Sequence, residues 1–90
     1  MKTYFNKIFD KLFLKSQEIT LKLSLDEALV LFEFLSRLNE TEPKDLFEDQ
    51  AEEKILSLIE VQLEKQLVEP FMPNYLEIIA KARNNIRDEE

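Results

Sequence analysis

Apolar residues recur about every 3.6 positions in three long segments of the chain. This spacing is typical of amphipathic helices and predicts them near 25–40, 46–68 and 74–88. Ser24 and Glu27 have the S-x-x-E arrangement of a capping box at the start of the first helix. The pattern therefore predicts an all-α fold whose core is a three-helix bundle.

The predicted helix at 25–40 is apolar over about 260° of its circumference. A helix covered this fully is either central to the fold or shared with a partner subunit, and we expect a homodimer formed through it. Two glutamines of the next helix either fix the register of an interface, lie at the surface or point at a pocket. The candidate interface residues are Val30, Leu31, Phe34, Leu38, Gln62 and Gln66.

The predicted helix at 46–68 carries apolar residues that we expect to be buried: Ala51, Ile55, Leu58, Ile59, Leu63 and Leu67. Asp45 with Glu48 fits a cap at its start. Asp49 with Glu52 fits one as well, and the sequence does not decide between them. Because Glu52 also falls within the apolar stripe, it is either a desolvated acid of a catalytic kind or a capping carboxylate. We favour the cap, since neither a base nor a metal ligand accompanies it.

Residues 1–15 predict a basic amphipathic helix that precedes the three-helix core. Four alternatives are open for it: an ordinary helix of the bundle with a lysine-rich polar face, docking on the acidic body of its own chain, binding another protein, or lying on an anionic membrane surface. We favour the first two. The candidate membrane or partner face combines aromatic, apolar and lysine side chains: Phe5, Phe9, Leu12, Lys7 and Lys11.

Residues 19–24, ITLKLS, alternate apolar and polar side chains with a period of two, which is typical of a strand. No second segment of this kind follows in the chain. Two alternatives remain for this short extended segment. Either it lays Ile19, Leu21 and Leu23 on the helices, which we favour, or it pairs with another molecule.

The segment EPFMPNY, residues 69–75, joins the last two predicted helices and contains a P-x-x-P pattern. This pattern is typical of polyproline ligands, but no basic residue flanks it. We interpret the segment as a corner in which Phe71 and Met72 fill the open end of the bundle. Asn74 and Glu77 are then the capping box of the last helix.

Three residue types are missing from the chain, and their absence excludes most catalytic templates. Without cysteine there is no disulfide or thiolate nucleophile, and without histidine the usual general base and commonest metal ligand are lost. Without glycine there is no phosphate-cradling loop. We therefore predict a single helical domain of 90 residues, with residues 1–15 semi-independent, that is not an enzyme and has neither cofactor nor metal.

The net charge of −7 is distributed unevenly along the chain. Residues 1–24 have a net charge of +3, whereas residues 25–90 have a net charge of −10. An acidic body argues against nucleic acid as a partner, because phosphate binding needs lysine and arginine. We expect a small protein that acts by binding itself or another protein. Its acidic residues 40–69 also fit an inhibitor or immunity-type protein that binds a basic partner.

The segments LSLDEALVLFEFLSRLNE and AEEKILSLIEVQLEKQLVEPFMPNYLEIIAKARNNIRDEE resemble a set of small bacterial proteins without assigned function. The resemblance covers residues 19–88 and leaves out the basic helix. It implies a compact helical protein of the cytoplasm and carries over no catalytic residue.

Overall fold

The computed structural model describes residues 17–41 and 45–89 of the chain. All regular secondary structure in these two ranges is helical. The α-helices are Leu25–Thr41 (α1), Gln50–Gln66 (α2) and Tyr75–Arg87 (α3), and a short 3₁₀ helix, Glu69–Phe71, joins α2 to α3. The prediction of an all-α fold with three core helices is confirmed. The basic helix predicted at 1–15 lies outside the described residues.

The start of α1 is closed by the predicted capping box. The Ser24 hydroxyl accepts a hydrogen bond from the backbone N–H of Glu27 at 3.1 Å. The Glu27 carboxylate accepts one in return from the backbone N–H of Ser24 at 2.7 Å. Two of the N–H groups that a helix start leaves unpaired are thereby satisfied.

The start of α2 is set by the second of the two predicted caps. Asp49 accepts a hydrogen bond from the backbone N–H of Ala51 at 2.7 Å. The exposed carboxylate of Glu52 accepts the backbone N–H of Glu48 at 3.0 Å, so Glu52 is a capping residue. The helix therefore begins four residues later than predicted.

The connection from α2 to α3 is a corner, as expected, but its side chains are arranged differently. Phe71 is 74% exposed and Met72 is also exposed, so the prediction that they fill the end of the bundle is wrong. Asn74 occupies the cap position of α3 without a side-chain hydrogen bond, and the predicted capping box is absent. The reason is the backbone conformation of Asn74, whose ψ is near 28°. A residue whose side chain caps a helix typically has an extended backbone instead.

α1 is the central helix of the described fold. It packs against both α2 and α3, whereas those two helices contact each other little. The buried core consists of apolar side chains from α1, from α3 and from the residue that follows α2: Leu29, Phe32, Leu35, Leu67, Ile79 and Ala82. The near-complete apolar coverage of α1 therefore reflects, in part, a helix with neighbours on two sides.

The predicted stripe of α2 is only partly covered. No residue of α2 is fully buried, and Ile55 and Leu58 are exposed. Asn39, two residues before the end of α1, donates a hydrogen bond to Glu60 of α2. The two helices are antiparallel, so the part of α2 that precedes Glu60 lies near or beyond the end of α1. This part is about ten residues, or roughly 15 Å, long. The first half of α2 thus has too little of α1 beside it to bury the stripe.

Candidate interaction surface

The outer side of α1 carries an exposed apolar stripe made of Val30, Phe34 and Leu38. Phe34 is 47% exposed, and the other two side chains are partly buried. At 100° per residue, Phe34 lies on the opposite side of the helix from the buried Leu29 and Phe32. Phe34 therefore faces away from the core, whereas Val30, at one end of the stripe, also packs against it.

Two further side chains border this stripe. Leu31, also predicted as an interface residue, is partly buried on the flank of α1. The guanidinium of Arg37 lies 5.7 Å from the centre of the Phe34 ring, within the range of a cation–π interaction. The arginine covers part of one face of the Phe34 ring. The spacing of apolar residues along the sequence did not predict this contact.

The two candidate glutamines, Gln62 and Gln66, are exposed on α2. Of the three alternatives left open for them, both glutamines therefore take the surface position in the single chain. Gln66 lines a groove between α2 and the chain that leads into α1. The groove is otherwise lined mainly by apolar residues: Leu21, Leu23, Leu25, Ala28, Leu63 and Leu67, with Lys22 and Ser24 at its edge.

Residues 17–24 contain neither helix nor strand. Ile19 is 85% exposed and Leu21 is 79% exposed, so the favoured expectation that they pack on the helices is wrong. Leu23 is also exposed, although less so. The alternating segment therefore presents its apolar side chains largely to solvent.

Polar contacts hold α3 against α1 in an antiparallel arrangement. The Tyr75 hydroxyl donates a hydrogen bond to Glu33 at 2.8 Å, and the Asn85 amide donates one to Asp26 at 3.0 Å. Burial raises the pKa of Tyr75, and the hydrogen bond to the Glu33 carboxylate raises it further. Both carboxylates, of Glu33 and Asp26, lie on the side of α1 that faces α3. We therefore interpret the two contacts as ones that hold the helices together.

The described residues offer apolar contact and hydrogen bonding but no reactive cluster. No polar or charged side chain is buried in residues 17–41 and 45–89, and no group of three or more acidic side chains there is placed to hold a metal ion. A shallow depression at the start of α2 is lined by Phe47, Glu48, Asp49, Gln50 and Glu53. It is the open, acidic entrance of a helix.

The candidate face for a membrane or partner, formed by Phe5, Phe9, Leu12, Lys7 and Lys11, lies outside the described residues. Among the helices that are described, each is too short or too polar to traverse a lipid bilayer.

No protein-family model, no curated protein and no solved structure matches this chain. The resemblance to small bacterial proteins therefore stays a prediction. The functional argument depends on the geometry of the chain itself.

Proposed function

We propose that this protein acts in the cytoplasm by protein–protein binding, as a homodimer whose interface is the exposed stripe on α1. The observation that carries the proposal is Phe34, a large aromatic side chain that is 47% exposed at the middle of the central helix. Aromatic residues are enriched at interfaces, and an exposed apolar stripe bordered by polar residues is typical of a binding surface.

The spacing of the stripe suits a contact between two identical helices. Val30 and Leu38 lie four residues before and after Phe34, so the stripe is symmetric about that ring. In a two-fold dimer with antiparallel α1 helices, Phe34 meets the partner's Phe34, and Val30 meets the partner's Leu38. Rows of side chains spaced by four are the ridges that pack in the commonest class of helix contact.

Charged residues border the stripe without entering it. Glu27 precedes it by one turn and is already engaged in the capping box. Arg37 stacks on the Phe34 ring. An apolar centre with a charged rim is the arrangement expected of an interface, because charges at the edge keep their hydration.

Sedimentation equilibrium of the full chain tests the proposal. The wild-type protein is expected to be a dimer at micromolar concentration, and Phe34→Glu is expected to be a monomer, because two carboxylates would be desolvated near the two-fold axis. Leu76→Glu is the matched control: Leu76 is an exposed residue on α3, so the same change there leaves the dimer intact.

Circular dichroism separates loss of association from loss of folding. Since Phe34 is not part of the buried core, the helix content of Phe34→Glu should equal that of the control variant. A wild-type protein that stays monomeric at high micromolar concentration contradicts the proposal. So does a Phe34→Glu variant that remains as dimeric as the control.

A further inference from the structure

The residues just before α1 have the side-chain pattern of a strand without a strand to pair with. Ile19, Leu21 and Leu23 alternate with polar residues and are exposed. No described residue forms a backbone hydrogen bond with residues 17–23. Within the described residues their N–H and C=O groups are therefore unpaired, like those at the edge of a sheet, and groups of this kind can pair with another chain.

We propose that residues 17–23 pair with the same residues of a second copy, as an antiparallel two-stranded ribbon whose two-fold axis passes at Thr20. The inference rests on one part of the proposed function, the formation of a homodimer, because the partner is again a second copy of the chain. The ribbon would be a second contact in that dimer, formed by residues that are not part of the stripe on α1.

Charge sets the register of this pairing. With Thr20 opposite itself, Glu18 lies directly across from the partner's Lys22, and the two-fold axis creates the same pair a second time. Opposite charges in directly opposed positions stabilise a ribbon, and like charges there destabilise it. These three polar positions share one side of the ribbon.

The apolar side of the ribbon is equally self-complementary. In the same register Ile19 lies across from the partner's Leu21, again twice, and Leu23 lies across from the partner's Gln17. A ribbon of two strands is at best marginally stable alone. Here Leu21 and Leu23 border the groove formed by Leu63, Leu67 and Ala28, which offers the apolar side a surface to cover.

The neighbouring registers fit less well. A slip of one residue places each apolar side chain opposite a polar one. A slip that moves the axis to Leu21 places Glu18 opposite Ser24 and removes both ion pairs. The backbone of Ser24 is already committed to α1, because its N–H donates to Glu27 and its C=O accepts from Ala28. That ladder is consequently shorter by one residue at each end.

Disulfide trapping in the full chain tests the register, because the protein contains no cysteine. Opposed Cα atoms in an antiparallel pair lie about 4.5–5.5 Å apart, which is within the reach of a disulfide bond. We expect Thr20→Cys to form a linked dimer at least about tenfold faster than Lys22→Cys, whose two copies lie four positions apart along the ribbon.

Leu21→Cys is the second matched variant, because its two copies are opposed only when the axis lies at that residue. Faster linkage of Leu21→Cys than of Thr20→Cys overturns the proposed register. Equal rates for all three variants indicate random collision and overturn the pairing itself. Mixing Glu18→Cys with Lys22→Cys protein should give a linked heterodimer faster than either variant alone gives a homodimer.

Exchange of the two charges provides an independent test. Glu18→Lys places two lysines opposite each other at both ion pairs, and we expect the dissociation constant to rise about fivefold. Lys22→Glu has the corresponding effect with two glutamates. The double variant Glu18→Lys, Lys22→Glu restores both pairs with their charges exchanged, and should recover wild-type affinity. A double variant as weak as the single ones contradicts the inference.

The two proposals fail separately. If wild-type protein is a dimer that Phe34→Glu dissociates but that Thr20→Cys does not trap, the ribbon is wrong and the helix interface stands. If Thr20→Cys traps a dimer that Phe34→Glu leaves intact, the helix interface is wrong and the ribbon stands.

Discussion

The hydroxyl group of Tyr75 joins the start of α3 to the middle of α1. It donates to Glu33 at 2.8 Å, in a part-buried position between the two helices. Loss of the proton would place a phenolate beside a carboxylate in a partly desolvated site. Burial first, and the neighbouring carboxylate second, therefore raise the pKa of Tyr75 above its ordinary value of about 10.

The raised pKa of Tyr75 predicts a loss of stability in alkali. Between about pH 10 and the higher pKa of the folded state, the unfolded chain loses this proton while the folded chain keeps it. The free energy of unfolding contributed by Tyr75 is thus fully present below about pH 10 and falls as the pH rises further. Urea unfolding from about pH 9 to about pH 11, followed by circular dichroism, measures this decline.

Tyr75→Phe isolates the effect from the lysines that titrate in the same range. At neutral pH the substitution should cost about 1 kcal/mol, because Glu33 loses its donor. Above about pH 10 the difference between the wild type and the variant should shrink. A difference that stays constant with pH would show that the Tyr75 proton is not linked to folding.

At the scale of the helix, the starts of α1 and α3 differ although their sequences suggest the same motif. Ser24 caps α1 with its side chain, and Asn74 does not cap α3. We predict that Ser24→Ala lowers the free energy of unfolding by about 1 kcal/mol, whereas Asn74→Ala changes it by less than about 0.5 kcal/mol. Urea unfolding of both variants at one protein concentration makes the comparison. Equal losses would contradict the different roles assigned to the two residues.

The helices themselves were largely predictable from the sequence, because their periodicity and caps are local. The first was predicted at 25–40 and spans Leu25–Thr41, and the last was predicted at 74–88 and spans Tyr75–Arg87. The start of α2 was not, since two acidic pairs fit a cap and only the fold selects Asp49. Exposure of Ile55 depends on where the neighbouring helix ends, which the periodicity of α2 does not contain.

The central position of α1 was predictable from its apolar excess, since the helix packs against both α2 and α3. Which of its apolar side chains stay exposed, Leu25 and Phe34 among them, was not, and the interface itself stays a prediction. The contacts between elements were not predictable, because no short-range pattern indicates that Tyr75 reaches Glu33 or that Asn39 reaches Glu60. Partner choice within the fold is decided by tertiary packing.

At the scale of the whole molecule, apolar surface is the dominant feature of the described residues. Thirteen large apolar side chains are exposed in residues 17–41 and 45–89, whereas six apolar residues are buried. A core of that size within the described residues contributes little stability, since small domains bury a limited share of their surface. Association that covers part of this surface would add directly to the free energy of unfolding.

That linkage predicts that stability depends on protein concentration. If unfolding converts one dimer into two unfolded chains, each tenfold rise in concentration should stabilise the folded dimer by about 1.4 kcal/mol. The urea midpoint of the wild-type protein should therefore rise steadily between micromolar and high micromolar concentration. Phe34→Glu should show a constant midpoint, because its folded state is monomeric, while Leu76→Glu should behave as the wild type does. A wild-type midpoint that is independent of concentration would show that the exposed surface of this chain is not covered by a second copy.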